Sequence, residues 1–398
     1  MQKSASSNSI NLLIYSHYFP PSVGGVETIT LALARGLAEL RSRDAAEFSI
    51  TVVTQTPQGN YDDVSLPFTV IRQPALSKLR KLVKECDLLH VAGPALAPLF
   101  WGLLSGKPIV LEHHGFQTIC PNGQLLIEPT GIPCPGHFMA GNHRICWSCN
   151  SGSGWAASFK LWALTFVRRY LAKRVTVNIT PTRWLGELVK LPNVVAIPHG
   201  IELIPIATAA AEKNVENPVI AFQGRLVTTK GVRLLFEAAQ LLREQGRIFQ
   251  MVIIGDGPER SFLEQFAREK NLEPHVTFMG RLSGEQLETT LRSAFALVVP
   301  SLGGEVFGLV LIENMQRSLP VIASDIGAFA EVLGDGGLTF RTGEAEDLAA
   351  KLASLLDDPG RAAQVARSGR QRMLDFFQRG RMIDMHASIY RGRTKIKS

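Results

Sequence analysis

Residues 218–242 read PVIAFQGRLVTTKGVRLLFEAAQLL, and this stretch contains the repeating unit of the chain. A short apolar run at 219–223 is followed by a polar turn with two glycines, and then by leucines and alanines at helical spacing. A buried strand, a turn and an amphipathic helix in this order are typical of a parallel sheet covered by helices. The stretch therefore predicts an α/β fold.

The same unit recurs on both sides of this stretch. In the second half we predict further strands at 251–255, 276–278, 296–299, 321–323 and 338–340. In the first half the predicted strands are 11–15, 49–54, 68–71, 88–91, 109–112, 175–179 and 194–197. This pattern therefore predicts two doubly wound α/β domains in tandem. Because such sheets bind ligands beyond the carboxyl ends of their strands, we expect the domains to face each other across a cleft that holds the active site.

The length of 398 residues is sufficient for two domains. We place the first domain at 1–200 and the second at 201–375, with the linker at 201–217, where no clear period is visible. An insertion at 120–154, rich in Gly, Pro and Cys, interrupts the first domain. It is either a structured loop with its own staple or a mobile loop.

The charge of the chain is unevenly distributed. The formal net charge is +7, with 18 Lys and Arg against 11 Asp and Glu in residues 1–200 and 24 of each sign in residues 201–398. A one-sided basic balance suits an anionic lipid, a phosphorylated acceptor or nucleic acid, and it is also found on ordinary solvated surfaces.

The sequence offers no secretory signal, because its first ten residues, MQKSASSNSI, are polar. The apolar run at 91–104 is shorter than the ~20 residues that span a bilayer and contains Pro94 and Pro98. We therefore expect a cytoplasmic protein whose membrane contact is peripheral, at the inner face of the cell membrane.

The most specific motif is the turn PSLGGEVFGLVLIENM at 300–315. It leaves a predicted strand and enters a helix near Phe307. Backbone N–H groups at a helix start form an anion site, so the amides of Phe307, Gly308 and Leu309 are predicted to hold a diphosphate.

Glu305 and Glu313 bracket this turn. At a helical rise of 1.5 Å per residue their separation is at most roughly 12 Å, about the span from the ribose of a nucleotide to a sugar beyond its diphosphate. One carboxylate could hold each end. The alternative is that Glu305 is a helix-dipole partner and Glu313 a solvated residue.

Two cations are predicted at the carboxyl edge of the second sheet. Arg225 directly follows the strand at 219–223, and Lys230 stands where the next helix opens. Cations at this edge can neutralise a departing diphosphate, although a surface Arg or Lys is usually only solvated.

The first domain offers a glycine pair and two histidines. Gly24 and Gly25 follow the first strand, where a missing side chain lets a phosphate approach the backbone. His113 and His114 end the strand at 109–112, and we expect both to point into the cleft, where a histidine can bind a sugar hydroxyl or an acceptor; a structural role is the alternative. The turn IGDGP at 254–258 is not a G-x-G-x-x-G fingerprint, so a nicotinamide enzyme is disfavoured.

Taken in order, these motifs resemble glycosyltransferase family 4, retaining enzymes whose GT-B fold consists of two Rossmann-like domains, and the likeness covers most of the chain. The glycine pair, the strand-end histidine, Gly-Arg-Leu with Lys-Gly, the Ile-Gly-Asp-Gly-Pro turn and the spaced glutamates all occur in family sequences. The resemblance implies transfer of a sugar from a nucleotide-diphosphate donor to a glycan or lipid-linked acceptor, in the synthesis of a cell-surface polysaccharide or glycolipid. It implies no metal for catalysis, and a terminal helix at 376–398 that returns to the first domain.

The resemblance also assigns roles to residues. Glu305 would contact the transferred sugar, Glu313 the ribose, and Arg225 with Lys230 the diphosphate. His114, rather than His113, would contact the sugar or the acceptor. The residues that it places at the donor are Gly24, Gly25, Arg281, Leu282, Val306, Phe307, Gly308, Leu309 and Glu313, with Gly25 against the phosphate and the backbone around Arg281 at the base.

Four cysteines of the insertion, Cys120, Cys134, Cys146 and Cys149, end in a C-x-x-C pair. In a cytosolic protein such a pattern favours a structural zinc over disulfides. The first spacing is longer than in a standard zinc ribbon, so unligated thiols and disulfides stay open as alternatives.

Residues 155–174 combine Trp155, Phe159, Trp162 and Phe166 with five Lys and Arg at roughly helical spacing. A basic amphipathic helix of this kind can lie on a bilayer, which together with the charge distribution favours a lipid-linked acceptor. The alternative is a domain helix whose apolar face lies in the core.

Two other functions share this architecture. A nucleotide-sugar 2-epimerase would need acid and base carboxylates around the sugar, and the sequence offers none beyond Glu305. A non-catalytic nucleotide-sugar-binding protein would not need the charge stabilisation that Glu305, Arg225 and Lys230 offer together. Nucleic acid is not an expected partner, because only 155–174 interleaves basic and aromatic residues.

Overall fold

A computed structural model describes residues 9–42, 45–128, 130–149, 152, 154–204 and 216–394. The chain divides into two compact units. Unit 1 comprises Met1–Gly123, Gly136–Ile201 and Gln378–Ser398, and unit 2 comprises Gln124–Pro135 and Glu202–Phe377. Part of the insertion at 120–154 therefore belongs to unit 2. Most of the predicted linker, 205–215, lies outside the described residues.

The strands are numbered in chain order. They are β1 (Ile10–Ser16), β2 (Arg41–Ser42), β3 (Ala45–Ala46), β4 (Phe48–Thr54), β5 (Thr69–Arg72), β6 (Leu88–Ala92), β7 (Ile109–Glu112), β8 (Leu126–Ile127), β9 (Ile132–Pro133), β10 (Val177–Thr180), β11 (Val194–Ala196), β12 (Val219–Gln223), β13 (Gln250–Ile254), β14 (Val276–Gly280), β15 (Ala296–Val299), β16 (Val321–Ser324) and β17 (Leu338–Phe340).

The helices are numbered in the same way, and two 3₁₀ turns lie at Thr228–Lys230 and Glu273–His275. The helices are α1 (Gly25–Glu39), α2 (Leu76–Glu85), α3 (Leu96–Leu104), α4 (His143–Cys149), α5 (Trp155–Ala172), α6 (Arg183–Val189), α7 (Val232–Glu244), α8 (Arg260–Glu269), α9 (Gly284–Ser293), α10 (Leu309–Gln316), α11 (Gly327–Leu333), α12 (Ala345–Leu356), α13 (Pro359–Phe376) and α14 (Arg379–Arg393).

Each unit contains one parallel sheet. Unit 1 has seven strands in the order β11-β10-β7-β6-β1-β4-β5, and unit 2 has six in the order β14-β13-β12-β15-β16-β17. All the strand pairs in these sheets are parallel. The predicted class, α/β with two doubly wound domains, is confirmed.

The order of strands fixes where ligands can bind. In unit 2 the chain runs outward from β12 to β14, then returns to place β15 on the other side of β12. The crevice beyond the carboxyl ends of β12 and β15 is therefore the switch point of this sheet. In unit 1 the corresponding point lies between β1 and β6.

The core explains why the quoted stretch folds as it does. In α7 the residues Val232, Leu235, Phe236, Ala239 and Leu242 are buried. Their spacing follows the helical period, so one face of α7 packs on the sheet. The same core cluster takes in buried residues of β12, β13 and α12.

The last helix, α14, belongs to unit 1 and packs against α1. The two helices approach closely at Gly36, where a Cβ would lie 1.8 Å from Cδ1 of Ile383. Tyr390, fully buried, bonds through its hydroxyl to Nδ1 of His90 on β6 (2.9 Å). The terminal helix thus completes the interior of unit 1. None of the described helices combines the length and hydropathy needed to cross a bilayer.

Candidate functional site

Two oppositely charged residues meet at the switch point of unit 2. Lys230 ends the 3₁₀ turn after β12, and Glu305 follows β15. Nζ of Lys230 forms an ion pair with Oε1 of Glu305, and the Ser301 hydroxyl donates to the same oxygen (3.1 Å). The Lys230 side chain is 29% exposed, so a ligand can reach it. Ser301 was not predicted, although its position directly beyond β15 is a signal that could have indicated it.

Gly231 brings this pair together. It has a φ of +65°, and a Cβ would lie 2.0 Å from the carbonyl oxygen of Pro300. The N–H of Leu302 donates to the carbonyl of Thr229 (2.8 Å). Only glycine allows such an approach, so the turn after β12 lies directly on the segment that leaves β15.

The turn at 254–258 packs backbone on backbone against the segment that carries Arg225. A Cβ at Gly255 would lie 1.8 Å from the carbonyl oxygen of Gly224, and one at Gly257 would lie 2.2 Å from that of Leu226. Arg225 itself is exposed, and the described residues provide it with no ion-pair partner. Its guanidinium is therefore available at the carboxyl edge of the sheet.

Helix α10 begins two residues later than predicted. Its first residue is Leu309, and the residue before it, Gly308, has a φ of +89°, which lies outside the helical range. The buried Phe307 ring is therefore not part of the helix and packs edge-on against Phe377, with 5.7 Å between the ring centroids. The N–H of Leu311 donates to the carbonyl of the cap residue Gly308 (3.0 Å), so the amides of Leu309 and Val310 are the ones at this helix start that suit an anion. Because Glu305 precedes the helix, the predicted separation from Glu313, based on helical rise, does not apply.

Glu313 lies on the second turn of α10 and is partly buried, so it is not a simply solvated residue. Burial raises the pKa of its carboxyl, and the nearby Arg317 acts against this rise. The Arg317 guanidinium also donates to the Glu313 carbonyl (2.6 Å) and forms an ion pair with Glu288.

The predicted base-binding residues lie to one side of the Lys230–Glu305 pair. Arg281, exposed, and Leu282, partly buried, follow β14 at the edge of the sheet. Since β14 is two strands from β12, this segment is displaced by ~10 Å from the switch point. Val306 and Leu309 are partly buried and flank the cap of α10.

Part of the insertion supports the loop that carries Glu305. The N–H of Gly304 donates to the carbonyl of Gln124 (2.7 Å), and Leu126 of β8 lies against Gly303. The hairpin β8–β9 therefore braces the two glycines that precede Glu305. The sequence, which shows no period here, did not predict this contact.

In unit 1 the glycine pair opens α1. Gly25 is its first residue and is exposed, whereas Gly24 is the extended residue before it. The same helix start holds the buried carboxylate of Glu27, which accepts a hydrogen bond from the Ser22 hydroxyl (2.7 Å). Gly25 is thus accessible at the switch point of unit 1, whereas the Glu27 carboxylate lies against Gly24, where a Cβ would be 2.6 Å from Oε2 of Glu27.

The two histidines after β7 have different surroundings, contrary to the expectation that both serve one site. His113 is fully buried, and its Nε2 donates to Oδ1 of Asn178 (2.9 Å), whose amide nitrogen already donates to two carbonyls. Burial lowers the pKa of His113 to about 4, so the ring is neutral. Successive side chains of an extended segment alternate, which separates His113 from His114.

His114 joins a buried carboxylate. Its Nε2 is 3.5 Å from Oε2 of Glu112, and its ring stacks on that of His199 (5.4 Å between centroids, 18° between planes). Although burial alone would raise it, the pKa of Glu112 is held well below its ordinary value by His114, His386 and His90. Glu112 and the other three histidines were not predicted; for His199 the signal is its position just after β11.

The cysteines of the insertion are distributed over both units. Cys146 and Cys149 lie on α4, and Cys120 donates through Sγ to Oδ1 of Asn122 (2.9 Å), whose amide donates to Sγ of Cys149 (3.3 Å). Cys134 belongs to unit 2. The structural zinc stays a prediction.

Helix α5 carries exposed aromatic residues. Trp155 is 77% exposed, Phe159 46%, Phe166 42% and Tyr170 56%, and their spacing of four, seven and four residues places them along one stripe. Trp162 lies in the same stripe and contacts Trp147. Phe166 also packs against the buried ring of Phe138 (4.7 Å between centroids), so the alternative of an apolar face in the core fits this part of the stripe, whereas Trp155 and Tyr170 face outward.

Residues 205–372 match the sequence model of the family described as "Glycosyl transferases group 1". The chain carries a group 1 glycosyl transferase domain. This group 1 domain includes Lys230, Glu305 and Glu313. The predicted resemblance to a glycosyltransferase family is confirmed at this level.

Several curated glycosyltransferases match part of the chain. The chain is 33% identical over 204 residues to a phosphatidyl-myo-inositol mannosyltransferase of Mycolicibacterium smegmatis, covering 50% of this chain and 52% of that protein. It is 31% identical over 162 residues to a 2-deoxystreptamine glucosyltransferase of Streptomyces kanamyceticus, covering 40% and 42%. The matches thus span about half the length of these relatives, or less.

Solved structures match nearly the whole chain. Anabaena HepE in complex with UDP and glucose has a TM-score of 0.71 at 16% identity, over 96% of this chain and 100% of that one. Sucrose-phosphate synthase from Thermosynechococcus elongatus has a TM-score of 0.72 at 21% identity, over 96% and 98%. At such identities the likeness concerns the fold, and the predicted GT-B architecture around the group 1 domain is confirmed.

Proposed function

We propose that this protein is a retaining glycosyltransferase that moves a sugar from a nucleotide-diphosphate donor to a glycan or lipid-linked acceptor. The observation that carries the proposal is the Lys230–Glu305 pair, held at the switch point of unit 2 beside the start of α10. This is where an open α/β sheet binds its ligand.

The charges of this site suit the departure of a diphosphate. Transfer breaks the bond between the anomeric carbon and the terminal phosphate oxygen, and negative charge accumulates on that oxygen. Lys230, Arg225 and the first amides of α10 are fixed positive groups that stabilise this charge as it develops. We therefore propose that catalysis needs no metal at the diphosphate.

The carboxylates suit the two ends of the donor. When a diphosphate engages Lys230, the Glu305 carboxylate loses its ion-pair partner, keeps the bond from Ser301, and can accept hydrogen bonds from hydroxyls of the sugar. Glu313, further along α10, would accept from the ribose hydroxyls, and the backbone at Arg281 would contact the base. A UDP-sugar is the first donor to test, since the neighbour HepE was solved with UDP and glucose.

In unit 1 we propose that Gly25 lies against the donor phosphate and that His114 contacts the sugar or the acceptor. Nε2 of His114 is directed at Glu112, so Nδ1 is the nitrogen that remains for this contact.

The acceptor is proposed to be lipid-linked, with the protein bound peripherally to the inner face of the membrane, in the synthesis of a cell-surface polysaccharide or glycolipid. The aromatic stripe of α5 is the feature that supports this, together with exposed basic residues such as Lys160, Lys173 and Arg174. A helix of this composition binds an anionic lipid surface. The relative from Mycolicibacterium smegmatis is named as a mannosyltransferase of a phosphatidylinositol lipid.

A donor screen tests the proposal. Unfolding temperatures are measured with UDP-, GDP- and ADP-sugars, since a ligand at 100 times its Kd adds roughly 2.7 kcal/mol of stability. We expect one base to be selected, and release of its nucleoside diphosphate when a membrane extract supplies the acceptor. Lys230→Ala should abolish binding and transfer, whereas Lys270→Ala, which removes a charge on unit 2 beyond α8, should not.

Three results would contradict the proposal. They are the absence of any donor-induced shift, full turnover by Lys230→Ala, and conversion of the donor sugar into its 2-epimer without an acceptor.

A further inference from the structure

We infer that Glu112, His114 and His199 form a binding site in unit 1 for a divalent transition metal ion such as Zn²⁺. Its ligands differ from the residues proposed to bind the donor in unit 2 and from the cysteines of the insertion, and it shares His114 with the proposed contact to the sugar or the acceptor.

The donor atoms of these residues are spaced for one ion. One ligand atom from each residue lies within 4.8 Å of the other two. Oε2 of Glu112 is 3.5 Å from Nε2 of His114, and Oε1 is 3.7 Å from Nδ1 of His199. In a tetrahedral zinc site with bonds of 2.0–2.1 Å the ligand atoms are roughly 3.3–3.4 Å apart. The two distances to Glu112, measured to its two different oxygens, exceed this spacing by a few tenths of an ångström. The other separations, which reach at most 4.8 Å, would close by rotation of the side chains around the ion.

The site is buried, and some of its polar atoms are unsatisfied. Glu112 is 1% exposed. Within the described part of the chain, neither Oε1 of Glu112 nor Nε2 of His114 has a hydrogen-bond partner. Buried polar atoms are nearly always bonded, and each exception calls for an explanation. An ion between these atoms would satisfy both.

His90 orients the carboxylate from one side. Its Nε2 is 3.1 Å from Oε2 of Glu112, and because a carboxylate only accepts, this nitrogen carries the hydrogen. Its Nδ1 then accepts from the Tyr390 hydroxyl (2.9 Å). Metal-binding carboxylates in proteins are usually held by hydrogen bonds of this kind.

His386 presents a lone pair to the same carboxylate. Its Nδ1 donates to the carbonyl of Met382 (2.8 Å), so Nε2 of the neutral ring bears the lone pair, 3.7 Å from Oε2 of Glu112. In the neutral ring this lone pair faces the Glu112 carboxylate, an arrangement that becomes favourable when a cation lies between them or when the ring is protonated and donates to the carboxylate. His386 is therefore a candidate fourth ligand, already oriented by the backbone carbonyl as ligating histidines commonly are.

The chemistry of the ligands selects the ion. Imidazole nitrogens with one carboxylate suit zinc, cobalt and similar ions, whereas calcium and magnesium prefer oxygen ligands. One carboxylate and neutral histidines would leave a local charge of about +1 around Zn²⁺. The rival occupant is a proton on one of the histidines, which would form an ion pair with Glu112 and bind no metal.

A metal would join separate segments of unit 1. Its ligands lie at the end of β7 and after β11, and His386 would add α14. The ion would thus fix the terminal helix to the sheet. It would also hold the His114 ring with Nε2 inward.

The test uses the full chain with an affinity tag free of histidine. Because the cysteines can also bind metal, the reference protein is the double variant Cys146→Ser, Cys149→Ser. Metal content is measured by mass spectrometry, and Co²⁺ is titrated into metal-stripped protein. We expect about one ion per chain, with the visible d–d absorption of nitrogen and oxygen ligands and without the near-ultraviolet band of a cobalt thiolate.

Substitutions then locate the ion. In the double-variant background, Glu112→Gln and His199→Ala should each weaken Co²⁺ binding at least tenfold, whereas His17→Ala, which removes an exposed histidine of unit 1, should not. Near-ultraviolet circular dichroism confirms folding, and Glu112→Gln preserves the side-chain volume and an acceptor for His90. Absence of a bound ion in the reference protein, or unchanged binding in folded Glu112→Gln, would overturn the inference in favour of the proton.

Discussion

Gly231 lies so close to Pro300 that a Cβ on the glycine would be 2.0 Å from the proline carbonyl oxygen. This contact joins the turn after β12 to the segment that leaves β15. It therefore sets the distance between Lys230 and Glu305, which belong to these two segments.

Gly231→Ala should lose donor binding and stability together. The positive φ of +65° would cost about 1 kcal/mol for alanine, and the clash with a backbone oxygen would add at least as much again. We expect a loss of roughly 2–4 kcal/mol in urea unfolding and a donor Kd raised more than tenfold. Gly246→Ala is the control, because its φ is +77° but nothing lies within 4 Å of the added Cβ. Equal losses of stability and donor binding in both variants would show that the contact between Gly231 and Pro300 is not the cause.

Glu305→Ala and Lys230→Ala should affect the bare nucleoside diphosphate in opposite directions. Without Glu305 the Lys230 ammonium has no competing partner, so calorimetry should show the diphosphate bound about 2- to 10-fold more tightly while transfer is lost. Without Lys230 both binding and transfer should fall. Ser301→Ala, which removes one hydrogen bond to Glu305, should change binding about threefold or less. Weaker diphosphate binding in Glu305→Ala would contradict the proposed competition.

Glu313→Gln should make stability less dependent on pH. Because burial raises the pKa of Glu313 above its ordinary 4.5, the folded state binds the proton more tightly than the unfolded state, and stability falls as pH rises through this window. When the free energy of unfolding in urea is measured from pH 4 to 8, the stability of the variant relative to the wild type should increase with pH. Donor binding should nevertheless weaken.

Glu288→Gln is the matched comparison, because the bond to Arg317 lowers the pKa of Glu288. The stability that the ionised Glu288 contributes is present above its ordinary pKa and is lost on acidification. At neutral pH the Glu288→Gln variant should therefore be less stable than the wild type. If stability relative to the wild type changed with pH in the same direction in both variants, the raised pKa of Glu313 would be refuted.

Gly36→Ala should destabilise unit 1. A Cβ would lie 1.8 Å from Cδ1 of Ile383, and overpacking between helices costs about 1–3 kcal/mol. Gly380→Ala, on α14 itself with nothing within 4 Å of the added Cβ, should instead stabilise by roughly 0.5–1 kcal/mol, since alanine favours helix. Thermal unfolding of the two variants measures the difference, and a neutral Gly36→Ala would argue against tight packing of α1 on α14.

The double variant Trp155→Ala, Phe159→Ala should bind less to anionic vesicles. Both rings are exposed on α5, so their removal takes away apolar area without disturbing the core. Co-sedimentation should show a loss of at least fivefold, whereas Phe262→Ala, an exposed ring on α8 of unit 2, should change nothing. Equal binding by all three proteins would remove the support for a membrane-facing α5.

The fold and half of the site could be predicted because their signals are local. All thirteen strands of the two parallel sheets were predicted, since each is a short apolar run bounded by turn residues. Lys230 and Glu305 were predicted because both follow strands, and strand ends of neighbouring parallel strands meet at one edge.

The remainder depends on contacts that no local pattern encodes. The start of α10 was placed two residues early, because the burial of Phe307 depends on Phe377, distant in sequence. The cluster around Glu112 draws histidines from positions 90, 114, 199 and 386. The spacing of these histidines along the sequence follows no periodic pattern. Their rings come together only in the folded chain.

The buried position of Tyr390 has a consequence for biosynthesis. A ribosome makes residues 202–377 before it reaches the helix that fills the interior of unit 1. The earlier segments of unit 1 must therefore wait, with an open apolar groove beside α1, until α14 has been translated. During that interval the nascent chain would be a natural client for chaperones that shield exposed hydrophobic surface.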